Sequence, residues 1–98
     1  MHYLVFYNFV DGYLEKRGPF RRAHLEMVRE YADNGSLLLA GALADPADSA
    51  VLVFRGPTEE SAESFVKNDP YVINGLVTSW HMRKWMTVVG DGAPFPSL

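Results

Sequence analysis

The sequence of 98 residues contains no cysteine, which excludes disulfide bonds, thiolate zinc sites and cysteine nucleophiles. It also has no long apolar run, since the longest, at 37–44, is well short of the ~18–20 residues of a membrane helix. Positive charge is scarce, and the formal net charge of −3 argues against a nucleic-acid partner. No basic segment precedes the first apolar residues, so we expect no secretory signal and a cytoplasmic location.

The residues that are present suffice for one small domain. Hydrophobic residues make up 48% of the chain, and single domains most often hold about 100–150 residues. The last segment is rich in glycine and proline, which disfavours regular structure. We therefore expect one domain over residues 1–90 and an irregular tail over residues 91–98.

The apolar patterns predict the order strand, helix, strand, strand, helix, strand. The predicted strands are 2–10, 37–44, 50–55 and 78–89, and the predicted helices are 20–34 and 58–67. Gly35 should end the first helix in a left-handed conformation, and Gly41 indicates a bulge or a close backbone approach. The order is that of a ferredoxin-like α+β domain (βαββαβ), with a four-stranded antiparallel sheet and two helices on one face.

Two helices can cover only one face of such a sheet. The first three predicted strands are nevertheless apolar on both faces, as the run Tyr3 to Phe9 illustrates. An uncovered apolar face is rare in a soluble monomer. The sequence therefore predicts a homodimer in which two copies associate through their sheet faces.

His24 lies within the apolar stripe of the first predicted helix, between Val28 and Tyr31 in helical projection. A titratable side chain at this position points toward the sheet. It is either a neutral, hydrogen-bonded core histidine or a general base or acid held in a pocket between helix and sheet. The catalytic role requires a partner that fixes the imidazole.

Asp69 is the best candidate for that partner, because Pro70 restricts it to an extended backbone and so fixes the direction of its carboxylate. An aspartate before proline is also a common helix cap. The two roles are compatible, since a carboxylate can accept from an amide and from an imidazole together.

The remaining candidates are less distinctive. Arg21, in a basic cluster with Lys16, Arg17 and Arg22, could reach an anionic substrate or simply form a solvated face. Tyr7 and Tyr71 could line a pocket or belong to the core. His81 could join His24 and Asp69 in a metal site, but their spacing is not that of a local ligand set, so we predict no metal. No dinucleotide or flavin fingerprint is present, and no cofactor is expected.

Three short motifs occur in order along the chain: R-R-A-H-L at 21–25, N-G-S-L-L-L-A-G at 34–41, and D-P-Y followed by G-L-V at 69–77. With these motifs the sequence resembles the YCII-related family of small bacterial proteins, over nearly the whole chain to about Trp85. The resemblance implies a ferredoxin-like fold, dimers of the α+β-barrel type, and an active site centred on a histidine and an aspartate, here His24 and Asp69. Arg22 and Lys84 depart from the family pattern, because each stands where a proline is usual.

Few reactions are assigned in that family, and dehydrohalogenation of hydroxylated aromatics is among those suggested. We therefore expect a dimeric enzyme in which His24, oriented by Asp69, abstracts a proton during elimination or isomerisation of a small aromatic or anionic molecule. Arg21, Tyr7, Gly41 and Tyr71 are the predicted substrate-binding residues. The alternative is a non-catalytic ligand-binding or accessory domain with a structural His24. Cofactor-free monooxygenases and lactone isomerases share the sheet-to-sheet dimer and remain a possibility at the level of fold.

Overall fold

The chain forms four strands and four helices, seen in a computed structural model that describes residues 1–95. Positions 96–98, the end of the predicted tail, lie outside the described residues. The strands are β1 (His2–Phe9), β2 (Leu37–Ala42), β3 (Ser49–Arg55) and β4 (Val77–Trp85). The helices are α1 (Tyr13–Lys16), α2 (Gly18–Asp33), α3 (Glu60–Asn68) and α4 (Pro70–Ile73).

The strands form one antiparallel sheet in the order β2-β3-β1-β4. In β1, Tyr7 pairs with Ala50 of β3 on one side and with Trp80 of β4 on the other. The two central strands are therefore β1 and β3, and the edges are β2 and β4. This arrangement confirms the predicted ferredoxin-like α+β fold.

The core lies between the sheet and the helices. Residues of β1 alternate between the two faces, and those that face the helices are nearly inaccessible: Tyr3, Val5 and Tyr7 are 0–5% exposed. Leu52 and Phe54 of β3 and Phe65 of α3 belong to the same core. We call the opposite side of the sheet the open face.

The predicted helix stop is confirmed, because Gly35 has a φ of 85°, which favours glycine. The interpretation of Gly41 is wrong. Gly41 pairs regularly with Val51 and has free space where a Cβ would lie, and the irregularity of β2 falls between Leu37 and Leu39 instead.

Two other boundaries differ from the prediction. The segment between the predicted strand 2–10 and the predicted helix 20–34 contains the single-turn helix α1, and α2 begins at Gly18 rather than at Phe20. The final strand was predicted to reach Val89 but ends at Trp85. Trp85 pairs with His2, the first residue of β1, so no partner strand remains beyond it.

The segment after β4 returns to one end of the open face. His2 Nδ1 lies 2.6 Å from Thr87 Oγ1, and Asp91 forms an ion pair with Arg55 at 3.5 Å. Gly92 packs so closely here that a Cβ would lie 2.9 Å from Arg55 Cδ. These contacts cover His2, which is 3% exposed. Within residues 1–95, no helix has the length and apolar character needed to cross a membrane.

Candidate active site

Asp69 occupies the junction between α3 and α4 and is fully buried. Pro70 disfavours a helical backbone at the preceding residue, so α3 ends at Asn68 and Asp69 is extended, with φ −66° and ψ 120°. Its Oδ1 accepts a hydrogen bond from the Tyr71 backbone N–H at 3.0 Å. The predicted cap is therefore present, and it fixes the carboxylate.

His24 meets the same carboxylate from α2. Its Nδ1 lies 2.7 Å from Asp69 Oδ1, and its side chain is 14% exposed. Because the carboxylate already accepts from two other donors, we assign the hydrogen of this contact to Nδ1. The contact is compatible with both roles that the sequence leaves open for His24, the structural one and the catalytic one.

Tyr7 completes the cluster from β1. Its hydroxyl donates to Asp69 Oδ2 at 2.8 Å, and its side chain is buried. Burial is the largest cause that raises the pKa of the Tyr7 phenol, followed by the charge of Asp69 and the hydrogen bond to it. Tyr7 is therefore a permanent donor to Asp69 across the ordinary pH range, and its hydroxyl is already in use.

The His24 ring is held by aromatic neighbours as well as by Asp69. It stacks on the Tyr71 ring with 3.8 Å between centroids and 6° between planes, and Phe65 meets it edge-on at 6.3 Å. The hydrogen bond at Nδ1 and the Tyr71 ring against one face leave the His24 imidazole little rotational freedom. The second nitrogen, Nε2, has no hydrogen-bond partner among the described residues.

A cleft of about 40 Å³ lies beside this ring, between α2 and the sheet. His24, Tyr7, Tyr71 and Gly41 all line it, so four of the six residues predicted for the site border one cavity. Its other walls are formed by Phe9, Tyr13, Ala40, Ala50 and Leu52. Ala40 and Gly41 are exposed and form the mouth, while Asp69 lies behind the wall.

Tyr71 and Tyr13 contribute phenols to this cleft. The Tyr71 hydroxyl is buried and has no hydrogen-bond partner among the described residues. Tyr13 stacks on Phe9 with 3.7 Å between centroids and meets Tyr71 edge-on at 5.8 Å. Tyr13 and Phe9 are not among the predicted site residues, because Tyr13 lies between two predicted elements and Phe9 has the pattern of an ordinary strand residue. The signal that could have found Tyr13 is an aromatic residue just after the Asp11-Gly12 turn.

Arg21 and His81 lie differently from the other candidates. Arg21 is exposed and lines a groove on the outer side of α2 rather than the cleft, although its guanidinium acts electrostatically on the Tyr71 phenol. His81 stacks on Phe6, which pairs with it on the open face, so it does not meet His24 and Asp69. Residues 1–95 contain no group of three side chains placed to hold a metal ion.

The contact between His24 and Asp69 leaves one atom, His24 Nε2, available to accept or release a proton. With Nδ1–H directed at Asp69, a neutral His24 carries its lone pair on Nε2, on the ring edge away from the carboxylate. After Nε2 takes up a proton, the carboxylate lies within hydrogen-bond distance of the resulting cation and stabilises it. A histidine arranged in this way is of the kind that serves as a general acid or base when a substrate proton lies within hydrogen-bond distance.

Comparison with known proteins begins with a family model. Residues 1–86 match the YCII-related domain. No curated protein matches the sequence.

Solved structures share the fold at low sequence identity. One is 5-chloro-2-hydroxyhydroquinone dehydrochlorinase (TftG) from Burkholderia phenoliruptrix, in complex with 2,5-dihydroxybenzoquinone, at a TM-score of 0.72 and 20% identity over 87% of this chain and 93% of that one. A NIPSNAP family protein from Agrobacterium tumefaciens has a TM-score of 0.55 and 11% identity over 97% of both chains. An antibiotic biosynthesis monooxygenase has a TM-score of 0.53 and 11% identity over 89% of this chain and 100% of that one. At these identities the likeness concerns the fold.

Proposed function

The chain belongs to the YCII-related family, and from that premise we propose that it is a small-molecule enzyme in which His24 is the general base and Asp69 orients it. The observation that carries this proposal is the 2.7 Å contact between His24 Nδ1 and the buried Asp69 carboxylate, beside a cleft that His24 lines. The buried carboxylate lies where it would stabilise the cation that a general base forms when it takes up a proton.

The proposed reaction is proton abstraction followed by elimination or isomerisation. His24 Nε2 removes a proton from a carbon or hydroxyl of the substrate, and the electron pair of the broken bond moves into the substrate as a new π bond. In an elimination, the bond to the leaving group breaks and that group departs with its electron pair. In an isomerisation, the proton returns from Nε2 to a different atom.

A planar hydroxylated aromatic molecule suits this cleft. Its walls include the rings of Phe9, Tyr13 and Tyr71, which favour flat apolar ligands, and phenol groups that hydrogen-bond to oxygen. The cavity of about 40 Å³ accommodates one edge of a ring, and the remainder would lie at the mouth over Ala40 and Gly41. The dehydrochlorinase of similar fold acts on a chlorinated hydroxyhydroquinone, which supports the same substrate class here.

We further propose that the protein is a homodimer joined through the open face. Leu4, Phe6 and Val53 lie at the centre of this face and are only partly buried, and Leu39 at its edge is 71% exposed. A second copy related by a twofold axis would present the same apolar surface to the first. Such an association would remove from water a patch that soluble monomers seldom expose.

The experiment for the catalytic proposal is a turnover assay on 5-chloro-2-hydroxyhydroquinone and related chlorinated hydroquinones, with released chloride as the readout. His24→Ala should lower the rate about 10²–10⁴-fold, the usual contribution of a positioned base. Asp69→Asn keeps the shape but removes the charge that stabilises the protonated His24, so it should also lower kcat.

The matched control is Tyr31→Phe, because Tyr31 lies on the same helix and its hydroxyl contacts Ser64 outside the cleft. This variant should retain wild-type turnover. Chloride release that persists in His24→Ala would contradict the proposal. An absence of turnover on every compound of the panel would contradict the substrate class.

A further inference from the structure

Three tyrosines line the cleft, and within residues 1–95 only Tyr7 donates its hydroxyl hydrogen to another side chain in the cluster around His24. Tyr7 donates to Asp69, as described above. Tyr71 is 1% exposed, and its hydroxyl has no partner among the described residues. A buried hydroxyl without a partner is uncommon, because leaving it unpaired costs the full penalty of removing it from water. A ligand oxygen within hydrogen-bond distance in the cleft would supply that partner.

Tyr13 has a hydrogen to donate as well. Its hydroxyl oxygen accepts from Arg17 Nη1 at 3.4 Å, and a hydroxyl that accepts in this way can still donate its own hydrogen. The guanidinium of Arg17 also lies 5.4 Å from the centre of the Tyr13 ring. Tyr13 is 5% exposed and packs edge-on against Tyr71, so the two phenols are neighbours in one wall.

We propose that the hydroxyls of Tyr71 and Tyr13 form an anion-binding pair that donates hydrogen bonds to a negatively charged oxygen of the substrate while His24 Nε2 removes the proton. This inference rests on the proposed function and deepens it, since it names the chemical class of the ligand: an enolate or phenolate. Abstraction of a proton next to a carbonyl or from a phenol places negative charge on such an oxygen, and preorganised donors stabilise it.

The electrostatic surroundings agree with this role. Burial is the largest cause that raises the pKa of Tyr71, the neighbouring Tyr13 phenol raises it further, and Arg21 acts in the opposite direction. A phenol that stays protonated remains a donor. Two arginines, Arg17 and Arg21, bring positive charge to this wall, whereas Asp69 lies behind the His24 ring and bonds its Nδ1. The cleft therefore separates a proton-accepting side from an anion-stabilising side.

The test uses 4-nitrophenol as a probe, because its anion absorbs visible light and its neutral form does not. We expect the probe bound to the wild-type protein to ionise at least one pH unit below the free probe, which means at least about tenfold tighter binding of the anion. Tyr71→Phe should lose most of this preference, and Tyr13→Phe should lose a smaller part. The affinity for 4-nitroanisole, which has a similar shape but does not ionise, should be the same in all three proteins.

Tyr31→Phe serves as the control for loss of a hydroxyl elsewhere, and thermal melting checks that each variant is folded. Equal losses of 4-nitrophenol and 4-nitroanisole binding in Tyr71→Phe would overturn the inference, because Tyr71 would then only shape the cleft. Absence of binding by the wild-type protein at millimolar probe, or binding of the neutral form alone, would also overturn it.

The two proposals can fail separately. If His24→Ala retains turnover while Tyr71→Phe loses its preference for the anion, the assignment of the base is wrong and the anion-binding pair stands. If His24→Ala abolishes turnover while Tyr71→Phe keeps the preference, the reverse holds.

Discussion

The two faces of the sheet are built from the same kinds of residue but have different surroundings. On the helix side, Val5 and Tyr7 are 0–1% exposed, and the Tyr7 hydroxyl donates a hydrogen bond to the buried Asp69 carboxylate. On the open face, Phe6 is partly buried and Asn8 is exposed. Both lie on the same strand as Val5 and Tyr7 and alternate with them along it. Residue type alone therefore does not determine burial here. The helices do, because they cover only one side.

This difference separates two tasks. The covered side holds the His24–Asp69–Tyr7 cluster, where each hydrogen bond depends on burial and fixed geometry. The open face has apolar side chains such as Leu39 and Trp85, which gain most from a partner surface. Substitutions on one face should therefore change stability and chemistry, and substitutions on the other should change association.

The largest effect is expected on the covered side, from Asp69→Ala. It removes the acceptor of three donors at once: His24 Nδ1, the Tyr7 hydroxyl and the Tyr71 backbone N–H. Leaving these buried donors without an acceptor should lower the free energy of unfolding by about 3–5 kcal/mol. Urea unfolding followed by tyrosine and tryptophan fluorescence measures it.

Asp33→Ala, at the exposed end of α2, is the matched control and should change stability by less than about 0.5 kcal/mol. A loss of less than about 1 kcal/mol in Asp69→Ala would mean that the cluster does not stabilise the fold and that the contrast between the two faces is smaller than we infer.

The next effect concerns the open face. Leu39→Asp places a charge on the edge strand of the open face, within the proposed dimer interface, and it should weaken association by at least ~2 kcal/mol, or about 30-fold. The monomer should keep its melting temperature at high dilution, since Leu39 is 71% exposed in the single chain. Sedimentation equilibrium measures the association.

Ile73→Asp is the corresponding control, because Ile73 is 66% exposed on α4 and lies off the sheet. It should leave association unchanged. A wild-type protein that sediments as a monomer at micromolar concentration would contradict the dimer and leave the open face without its proposed partner.

Much of this comparison could be predicted from the sequence, and the exceptions have physical reasons. Alternation in β1 and the helical stripe containing His24 depend on local periodicity, which the sequence records directly. The overextended β4 shows the limit. Met86, Val88 and Val89 resemble strand residues, but pairing ends at Trp85 because β1 begins at His2. Strand length is set by the partner, and no local pattern contains that information.

The site shows the same limit. The Asp69-Pro70 pair predicts a helix cap, and the family resemblance pairs Asp69 with His24. The hydrogen bond from the Tyr7 hydroxyl to Asp69 joins residues 62 positions apart, and no local pattern predicts it. The short helix that brings Tyr13 to the cleft follows from tertiary packing against Phe9, not from a strong helical signal. Whether a hydroxyl is paired, as in Tyr7, or unpaired, as in Tyr71, depends on three-dimensional neighbours alone.

That last contrast gives a third prediction, within the covered side. Tyr7→Phe removes a hydrogen bond to a buried carboxylate and should cost about 1.5–3 kcal/mol. Tyr71→Phe removes a hydroxyl that has no partner within residues 1–95, so stability should be unchanged or should rise by up to ~1 kcal/mol. Urea unfolding of both variants measures the difference, and equal losses would mean that the two hydroxyls are equally satisfied in solution.

The smallest effect is a dependence on alkaline pH that the covered side should show because it buries Tyr7. Burial, and then Asp69, raise the pKa of this phenol above its ordinary value of 10.0. Above pH 10 the unfolded chain therefore releases the Tyr7 proton while the folded chain retains it, so unfolding becomes more favourable as pH rises. The stability that Tyr7 contributes is complete below pH 10 and should then fall by up to about 1.4 kcal/mol per pH unit.

The gap in unfolding free energy between wild type and Tyr7→Phe should thus narrow from pH 10 upward. Asp69→Asn should retain most of this slope, since burial is the larger cause. Parallel stability curves for wild type and Tyr7→Phe up to pH 11 would show that Tyr7 ionises as freely as a phenol in water, and that this side of the sheet is less sealed than its burial indicates.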